Sequence, residues 1–224
     1  MSTTSEALLP RIAQDRLDRL QARTASIGVI GLGYVGLPLS LLLSEAGFKV
    51  TGFDIDEKKV TDLEAGRSYI FRIPKEEIQG AREQGFTATA DFAHLSHQDA
   101  IIMCVPTPLT EHREPDLSYV ENTAKSVAPW IREGQLVVLE STTYPGTTED
   151  LMIPVLEAGN TQGLKVQCPG EPAEHGVFYV AFSPEREDPG NTAVARRDIP
   201  KVVGGHEPIA TELAACLLYT SRCV

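Results

Sequence analysis

Residues 26–54, SIGVIGLGYVGLPLSLLLSEAGFKVTGFD, predict a strand, a glycine-rich turn, a helix and a second strand. The first apolar run ends in Gly31, Gly33 and Gly36, and the second ends at Asp54. A GxGxxG turn between a strand and a helix is typical of dinucleotide-binding folds. The first glycine permits the tight turn, the second lets the backbone approach a pyrophosphate, and the third lets the helix pack close to the strand. The free N–H groups at the start of the helix favour phosphate binding.

The acid at the end of the second strand predicts the cofactor. Asp54 stands about twenty residues past the glycines, where a carboxylate accepts hydrogen bonds from ribose hydroxyls. Because a carboxylate there repels a 2′-phosphate, the sequence favours NAD over NADP. Lys58 and Lys59 either soften that repulsion or lie on a solvated helix face. The alternative interpretation is a glycine-rich turn that binds no ligand.

Composition excludes several classes of partner. The chain has 224 residues and a formal net charge of −11, which argues against binding nucleic acid or anionic membrane surfaces. No apolar run is long enough to span a bilayer, and residues 1–23 lack the basic start and apolar stretch of a signal peptide. We therefore predict a cytoplasmic protein that binds neither membrane nor nucleic acid.

The cysteines predict neither disulfides nor a metal site. Cys104, Cys168, Cys216 and Cys223 show no CxxC pairing and no neighbouring histidine pattern. In a chain without an export signal they are expected to be reduced thiols.

Strand-like and helix-like segments alternate along the chain, which predicts an α/β protein with a doubly wound, Rossmann-like, mainly parallel sheet and helices on both faces. We predict an N-terminal extension (1–25), an NAD-binding Rossmann domain (26–206) and the start of a connecting helix (207–224). After the second strand, the predicted strands are 86–88, 100–105, 136–139, 177–182 and 201–203, and the predicted helices are 56–65, 75–84, 117–131, 148–156 and 207–218.

Besides the glycine turn 31–36, three further loops follow predicted strands, and ligands of doubly wound sheets lie beyond the carboxyl ends of the strands. The loop 105–108 (VPTP) presents the Thr107 hydroxyl to a cofactor, or it only terminates its strand rigidly. The loop 140–146 (ESTTYPG) suits a phosphate, a sugar or an ordered water, or it is a hydroxyl-rich helix entry. In the loop 183–190 (SPEREDPG), Glu185 is either a general base or part of a surface ion cluster.

Six segments together resemble the UDP-glucose/GDP-mannose dehydrogenase family: IGVIGLGYVGLPLS, the acid of GFDID, MCVPTP, ESTTYPGTTE, AFSPEREDPGN and IPKVVGG. They stand in the family's order over about residues 26–205. The SPEREDPGN form resembles the branch that oxidises UDP-N-acetyl-hexosamines, particularly UDP-N-acetylglucosamine 6-dehydrogenases. UDP-glucose 6-dehydrogenase and UDP-N-acetyl-mannosamine dehydrogenase remain alternatives.

The resemblance implies an NAD-dependent enzyme that oxidises C6 of a UDP-sugar to the acid, using two NAD molecules and a cysteine thiol. It also implies a homo-oligomeric full-length parent. The roles it implies for this chain are as follows: Tyr34 and Val35 contact the pyrophosphate through their backbone, Asp54 and Lys59 hold the adenosine end, Val105, Pro106 and Thr107 line the cofactor, Thr142 also lines the cofactor and orients the catalytic water, Glu185 assists thioester hydrolysis and borders the substrate, and Arg186 and Glu187 border the sugar nucleotide.

The chain departs from the family pattern in one respect. The family's nucleophilic cysteine stands in a GxGGxC-like context in a second domain, and Cys223 in TSRCV does not match that context. We therefore expect the cofactor-binding half of a longer enzyme, inactive by itself. The alternatives are a regulatory module that senses NAD without turnover and a 3-hydroxyacid dehydrogenase with a similar first domain.

Overall fold

The computed structural model describes residues 9–110, 113–171, 175–185 and 200–219. Arg186, Glu187 and Cys223 lie outside these residues. The described strands and helices are β1 (Ser26–Ile30), β2 (Lys49–Phe53), β3 (Thr87–Thr89), β4 (Ala100–Met103), β5 (Leu136–Leu139), β6 (Lys165–Val166), β7 (Val177–Phe182), β8 (Gly204–Gly205), α1 (Arg11–Gln21), α2 (Gly36–Glu45), α3 (Glu57–Glu64), α4 (Lys75–Glu83), α5 (Ser118–Val127), α6 (Ile153–Gly159) and α7 (Pro208–Leu218).

The described strands form one sheet in the order β3-β2-β1-β4-β5-β7-β6, and β8 pairs with β7 off this path. All neighbours along the path are parallel, whereas β8 is antiparallel to β7. The chain therefore winds outward from β1 in both directions. This arrangement confirms the predicted doubly wound, Rossmann-like sheet.

Continuous apolar runs form the central strands because both faces of the sheet are covered. Every residue of β4 and β5 is buried. One face packs a cluster that includes residues of α1, α2, α4 and α7, and the other packs a cluster that includes residues of α5 and α6. No helix in the described parts of the chain combines the length and the hydropathy needed to cross a bilayer.

Residues 9–25 of the predicted extension pack against α7 and the amino ends of the central strands. Helix α1 buries Ala13, Leu17 and Leu20 in the first of these clusters. Arg16 and Arg19 both form ion pairs of 2.8 Å with the buried carboxylate of Asp99, which precedes β4. The proposed division of the chain into three segments stays a prediction.

The strand predicted at 201–203 is wrong, and pairing begins only at β8. Lys201 directs its ammonium to the buried Glu140 carboxylate, and Val202 is exposed. The apolar residues of segment 201–203 therefore do not indicate a buried strand of the sheet. The helix predicted over 117–131 also ends early, since α5 stops at Val127 and a 3₁₀ turn containing Pro129 follows.

Candidate functional site

A cavity of ≈ 570 Å³ opens beyond the carboxyl ends of the central parallel strands. Its wall combines the glycine turn after β1, the end of β2, the loops after β4 and β5, and one side chain after β7. Eleven of the residues predicted from the sequence line it: Gly31, Gly33, Tyr34, Val35, Asp54, Lys59, Val105, Pro106, Thr107, Thr142 and Glu185.

The three glycines of the turn meet three different surroundings. A Cβ on Gly31, whose φ is +89°, would lie 2.3 Å from the Cys104 carbonyl oxygen. A Cβ on Gly36 would lie 2.0 Å from the Gly31 carbonyl oxygen. A Cβ on Gly33 would meet no described atom within 4 Å, so this glycine faces open space at the cavity. Gly31 and Gly36 are thus required by packing, whereas Gly33 leaves room for a ligand to approach the backbone.

Asp54 ties the glycine turn to the end of β2. Its Oδ2 accepts hydrogen bonds from the Leu32 N–H and the Lys59 ammonium, both at 2.9 Å, and its Oδ1 accepts one from the Asp56 N–H at 2.9 Å. The carboxylate is buried, and these three bonds leave acceptor capacity for a ribose hydroxyl. Lys59 also partly neutralises Asp54, which reduces the repulsion that a 2′-phosphate would meet.

The loops after β4 and β5 are joined to each other. Thr107 Oγ1 donates to the Thr142 carbonyl oxygen at 2.6 Å, and Ser141 Oγ donates to the Val105 carbonyl oxygen at 2.7 Å. The hydroxyl of Thr107 is therefore engaged with the backbone, whereas Thr142 is exposed at the cavity. Together the two loops form one wall of the cavity.

Two carboxyl groups that line the cavity and one ammonium beside them form what we call the carboxyl–lysine cluster: Glu140, Glu185 and Lys201. Glu140 follows β5 directly and is 1 % exposed. Lys201 Nζ forms an ion pair with Glu140 Oε1 and lies 3.8 Å from Glu185 Oε2.

The charges of this cluster depend on its burial. Burial raises the pKa of Glu140 to about 7, with Glu185 adding to the rise and Lys201 opposing it. Burial alone would lower the pKa of Lys201, but Glu140 and Glu185 outweigh that effect and raise it. Lys201 therefore remains an ammonium while Glu140 titrates near neutral pH.

Sequence reasoning missed several residues of the site. The sequence predicts a strand for Lys201, which the structure instead brings to Glu140, and it gives no signal for Phe92, Tyr119 and Thr123 of the cavity wall. Another is Tyr69, whose hydroxyl donates to the Leu32 carbonyl oxygen at 2.6 Å and braces the glycine turn. The position of Glu140 does indicate a site residue, because an acid that directly follows four apolar strand residues lies at the carboxyl edge of the sheet.

Three residues predicted for the site are not among those that line the cavity. Gly36 packs behind the cavity wall, and Arg186 and Glu187 lie outside the described residues. Among the cysteines that the structure describes, Cys104 lines the cavity and is 7 % exposed. Within the described parts of the chain, no three His, Cys, Asp or Glu side chains are grouped so that they could hold a metal ion.

Comparison with known proteins identifies the family. Residues 25–221 match the sequence profile of the UDP-glucose/GDP-mannose dehydrogenase family, NAD binding domain. The chain belongs to this family, and NAD is the cofactor of the domain it contains. The predicted resemblance and the predicted cofactor are both confirmed.

Individual relatives differ in the sugar that their names give. The chain is 35 % identical over 193 residues to UDP-N-acetyl-D-glucosamine 6-dehydrogenase of Pseudomonas aeruginosa, covering 85 % of this chain and 42 % of that protein. It is 32 % identical over 199 residues to UDP-N-acetyl-D-mannosamine dehydrogenase of Salmonella typhi, covering 86 % of this chain and 44 % of that protein.

A solved structure shares the fold over most of the chain. The crystal structure of NDP-N-acetyl-D-galactosaminuronic acid dehydrogenase from Methanosarcina mazei Go1 superposes with a TM-score of 0.76 and 31 % identity, covering 91 % of this chain and 44 % of that chain. The chain thus spans less than half the length of these relatives.

Proposed function

We propose that this chain is the cofactor-binding part of an NAD-dependent dehydrogenase that oxidises a UDP-N-acetyl-hexosamine, UDP-N-acetylglucosamine first among them, at C6 to the uronic acid. The supporting observation is that the glycine turn, the Thr107–Thr142 wall and Glu185 line one cavity. A cytoplasmic location and a homo-oligomeric state of the whole protein are part of this proposal.

The cavity fits a dinucleotide across the carboxyl edge of the sheet. The pyrophosphate would pass over Gly33, where the backbone is open, beside the N-terminus of α2. Asp54 and Lys59 would hold the adenosine ribose, and the other end would lie along the loops after β4 and β5. When bound, NAD supplies a hydride acceptor.

Thr142 and Glu185 are proposed to act on water, and Thr142 is also proposed to line the cofactor. The exposed Thr142 hydroxyl can hold a water molecule by a hydrogen bond, and a carboxylate such as Glu185 can accept a proton from it. In the proposed reaction, that water adds to the acyl carbon of a thioester, the carbon–sulfur bond breaks, and the acid is released. Arg186 and Glu187 are proposed to border the nucleotide sugar.

The choice of an N-acetyl-hexosamine rests on the SPEREDPGN form of residues 183–191 and on the two relatives named for N-acetylated sugars. An NADH absorbance assay on the full-length protein, with UDP-N-acetylglucosamine, UDP-N-acetylmannosamine and UDP-glucose in parallel, tests it. We expect the highest kcat/KM with UDP-N-acetylglucosamine. A preference for UDP-glucose would refute the branch, and NAD binding without turnover of any nucleotide sugar would indicate a regulatory module.

A further inference from the structure

The carboxyl–lysine cluster joins three separate parts of the chain at one point of the cavity. Glu140 follows β5, Glu185 follows β7, and Lys201 comes from the segment that leads into β8. Within the described residues, no hydrogen-bond donor reaches the buried Oε2 atom of Glu140. Glu185 Oε2 lies 3.8 Å from Lys201 Nζ, so the two carboxyl groups converge on the same ammonium.

Two carboxyl groups that converge on one ammonium can bind one proton between them. Burial and the like charge of the neighbouring carboxylate both disfavour ionisation of the pair, so one of the two groups holds a proton at low enough pH. With the ammonium of Lys201 beside them, the cluster has a net charge of −1 when both carboxyls are ionised and zero when they share a proton. The other titratable group that faces Lys201 among the described residues is the thiol of Cys104.

The cluster lies at the end of the cavity opposite Asp54. A dinucleotide in a doubly wound sheet spans the crevice at the centre of the sheet, with its adenosine ribose at the acid after β2. Its nicotinamide end therefore lies toward β4, β5 and β7, where Val105, Glu140 and Glu185 line the same cavity. The nicotinamide ring is positively charged in NAD⁺ and neutral in NADH.

We propose that Glu140, held against Glu185 by Lys201, determines how strongly the chain prefers NAD⁺ to NADH by releasing the shared proton when the positive ring binds. The inference rests on the proposed placement of the dinucleotide. The proton leaves the carboxyl pair for solvent, and no other bond changes. The neutral ring of NADH leaves the shared proton in place.

The burial of Glu140 supports this assignment. The cluster is closed off from bulk water on the Glu140 side, so its charge acts on the cavity with little screening. The pKa of Glu140 is raised by burial to about 7, so the shared proton is present below neutral pH and leaves above it. Lys201 keeps its charge throughout, which fixes the cluster at one proton gained or lost.

Calorimetric titration of the purified chain with NAD⁺ and with NADH at pH 6, 7 and 8 tests the proposal. If NAD⁺ binds only the deprotonated cluster, its affinity follows the deprotonated fraction, which rises about tenfold between pH 6 and pH 8 for a midpoint near 7. NADH affinity is expected to stay flat. Titrations in two buffers of different ionisation enthalpy should show a proton released with NAD⁺ only.

Three variants test which side chains cause the pH dependence of NAD⁺ affinity. Glu140→Gln removes the shared proton and should make the NAD⁺/NADH affinity ratio independent of pH. Lys201→Met removes the ammonium, which raises the pKa of the carboxyl pair and should move the midpoint to higher pH. The matched control is Glu121→Gln, which removes a surface carboxylate of α5 that pairs with Lys125, and it should keep the wild-type pH dependence.

A second measurement does not depend on any variant. In carbon-13 spectra of the wild-type chain labelled at glutamate carboxyls, one carboxyl should titrate near neutral pH and shift to lower pH with NAD⁺ but not with NADH. An equal pH dependence for the two cofactors, or no carboxyl titrating near neutrality, overturns the proposal. Absence of binding by both cofactors would instead refute the proposed function, on which this inference depends.

Discussion

Replacing Gly33 by alanine should separate cofactor binding from folding. A Cβ at this position would meet no described atom within 4 Å, so the folded chain accommodates it. Substituting alanine for glycine at a compatible position reduces the entropy of the unfolded chain and stabilises a protein by about 0.4–1 kcal/mol. The folded Gly33→Ala variant is therefore expected to be at least as stable as the wild type.

The same methyl group should weaken NAD binding strongly. It occupies the space through which a pyrophosphate would approach the backbone of the turn. Losing one hydrogen bond to a charged group costs about 1.5–3 kcal/mol, which corresponds to about ten- to a hundredfold in affinity. Fluorescence titration with NADH measures the affinity, and urea unfolding of the same sample measures the stability.

Two matched variants complete this test. Gly36→Ala places a Cβ 2.0 Å from the Gly31 carbonyl oxygen, so it should destabilise the fold by about 1–3 kcal/mol or more. Gly80→Ala lies in α4, away from the cavity, where a Cβ meets no described atom within 4 Å, and it should leave NADH affinity unchanged. Wild-type NADH affinity in Gly33→Ala would refute the placement of the pyrophosphate over this residue.

Three further predictions concern the cofactor, turnover and stability. We expect the chain to bind NAD(H) more tightly than NADP(H) in parallel titrations, and Asp54→Ala to weaken NAD binding by about 1.5–3 kcal/mol while reducing the discrimination; equal affinities of the wild type for both cofactors would contradict the assignment. The purified 224-residue chain should bind NAD without sustained NADH production from any UDP-hexosamine. Cys104 is buried beneath the glycine turn, and Cys168, whose pKa is raised by burial, does not line the cavity. A steady rise in NADH absorbance would show that one of the cysteines of this chain acts as the nucleophile. Asp99→Asn should destabilise the fold by about 1.5–3 kcal/mol in urea unfolding, because Arg16 and Arg19 lose their buried carboxylate. A loss within experimental error would mean that α1 is held by its apolar face alone.

The part of the site that was predictable from the sequence is the part built within one short segment. Gly31, Gly33, Gly36 and Asp54 fall within 24 residues, and their roles depend on local geometry that a strand, a turn and a helix always impose. The loops after β4 and β5 were predictable for a related reason. Parallel strands bring their carboxyl ends to one edge of the sheet, so each residue after a buried run becomes a candidate.

The unpredicted part depends on contacts between residues far apart in the chain. Lys201 and Glu140 are separated by 61 positions, and the apolar neighbours of Lys201 favoured a strand. Asp99 and Arg16 are 83 positions apart, and neither lies in a motif. The sequence does not decide between the two roles of Lys59, because its ion pair with Asp54 depends on how α3 follows β2, which periodicity alone does not determine.

The polar contacts of α1 also hold the central strands of the sheet in place relative to one another. Asp99 precedes β4 and also accepts a hydrogen bond from the Ser26 N–H at the start of β1, while Arg16 donates to the Gly134 carbonyl oxygen just before β5. These bonds clasp the amino ends of the three central strands together, at the edge farthest from the cavity. The amino edge therefore fixes the relative positions of the three central strands. Any adjustment to a bound dinucleotide is then confined to the loops at the carboxyl edge.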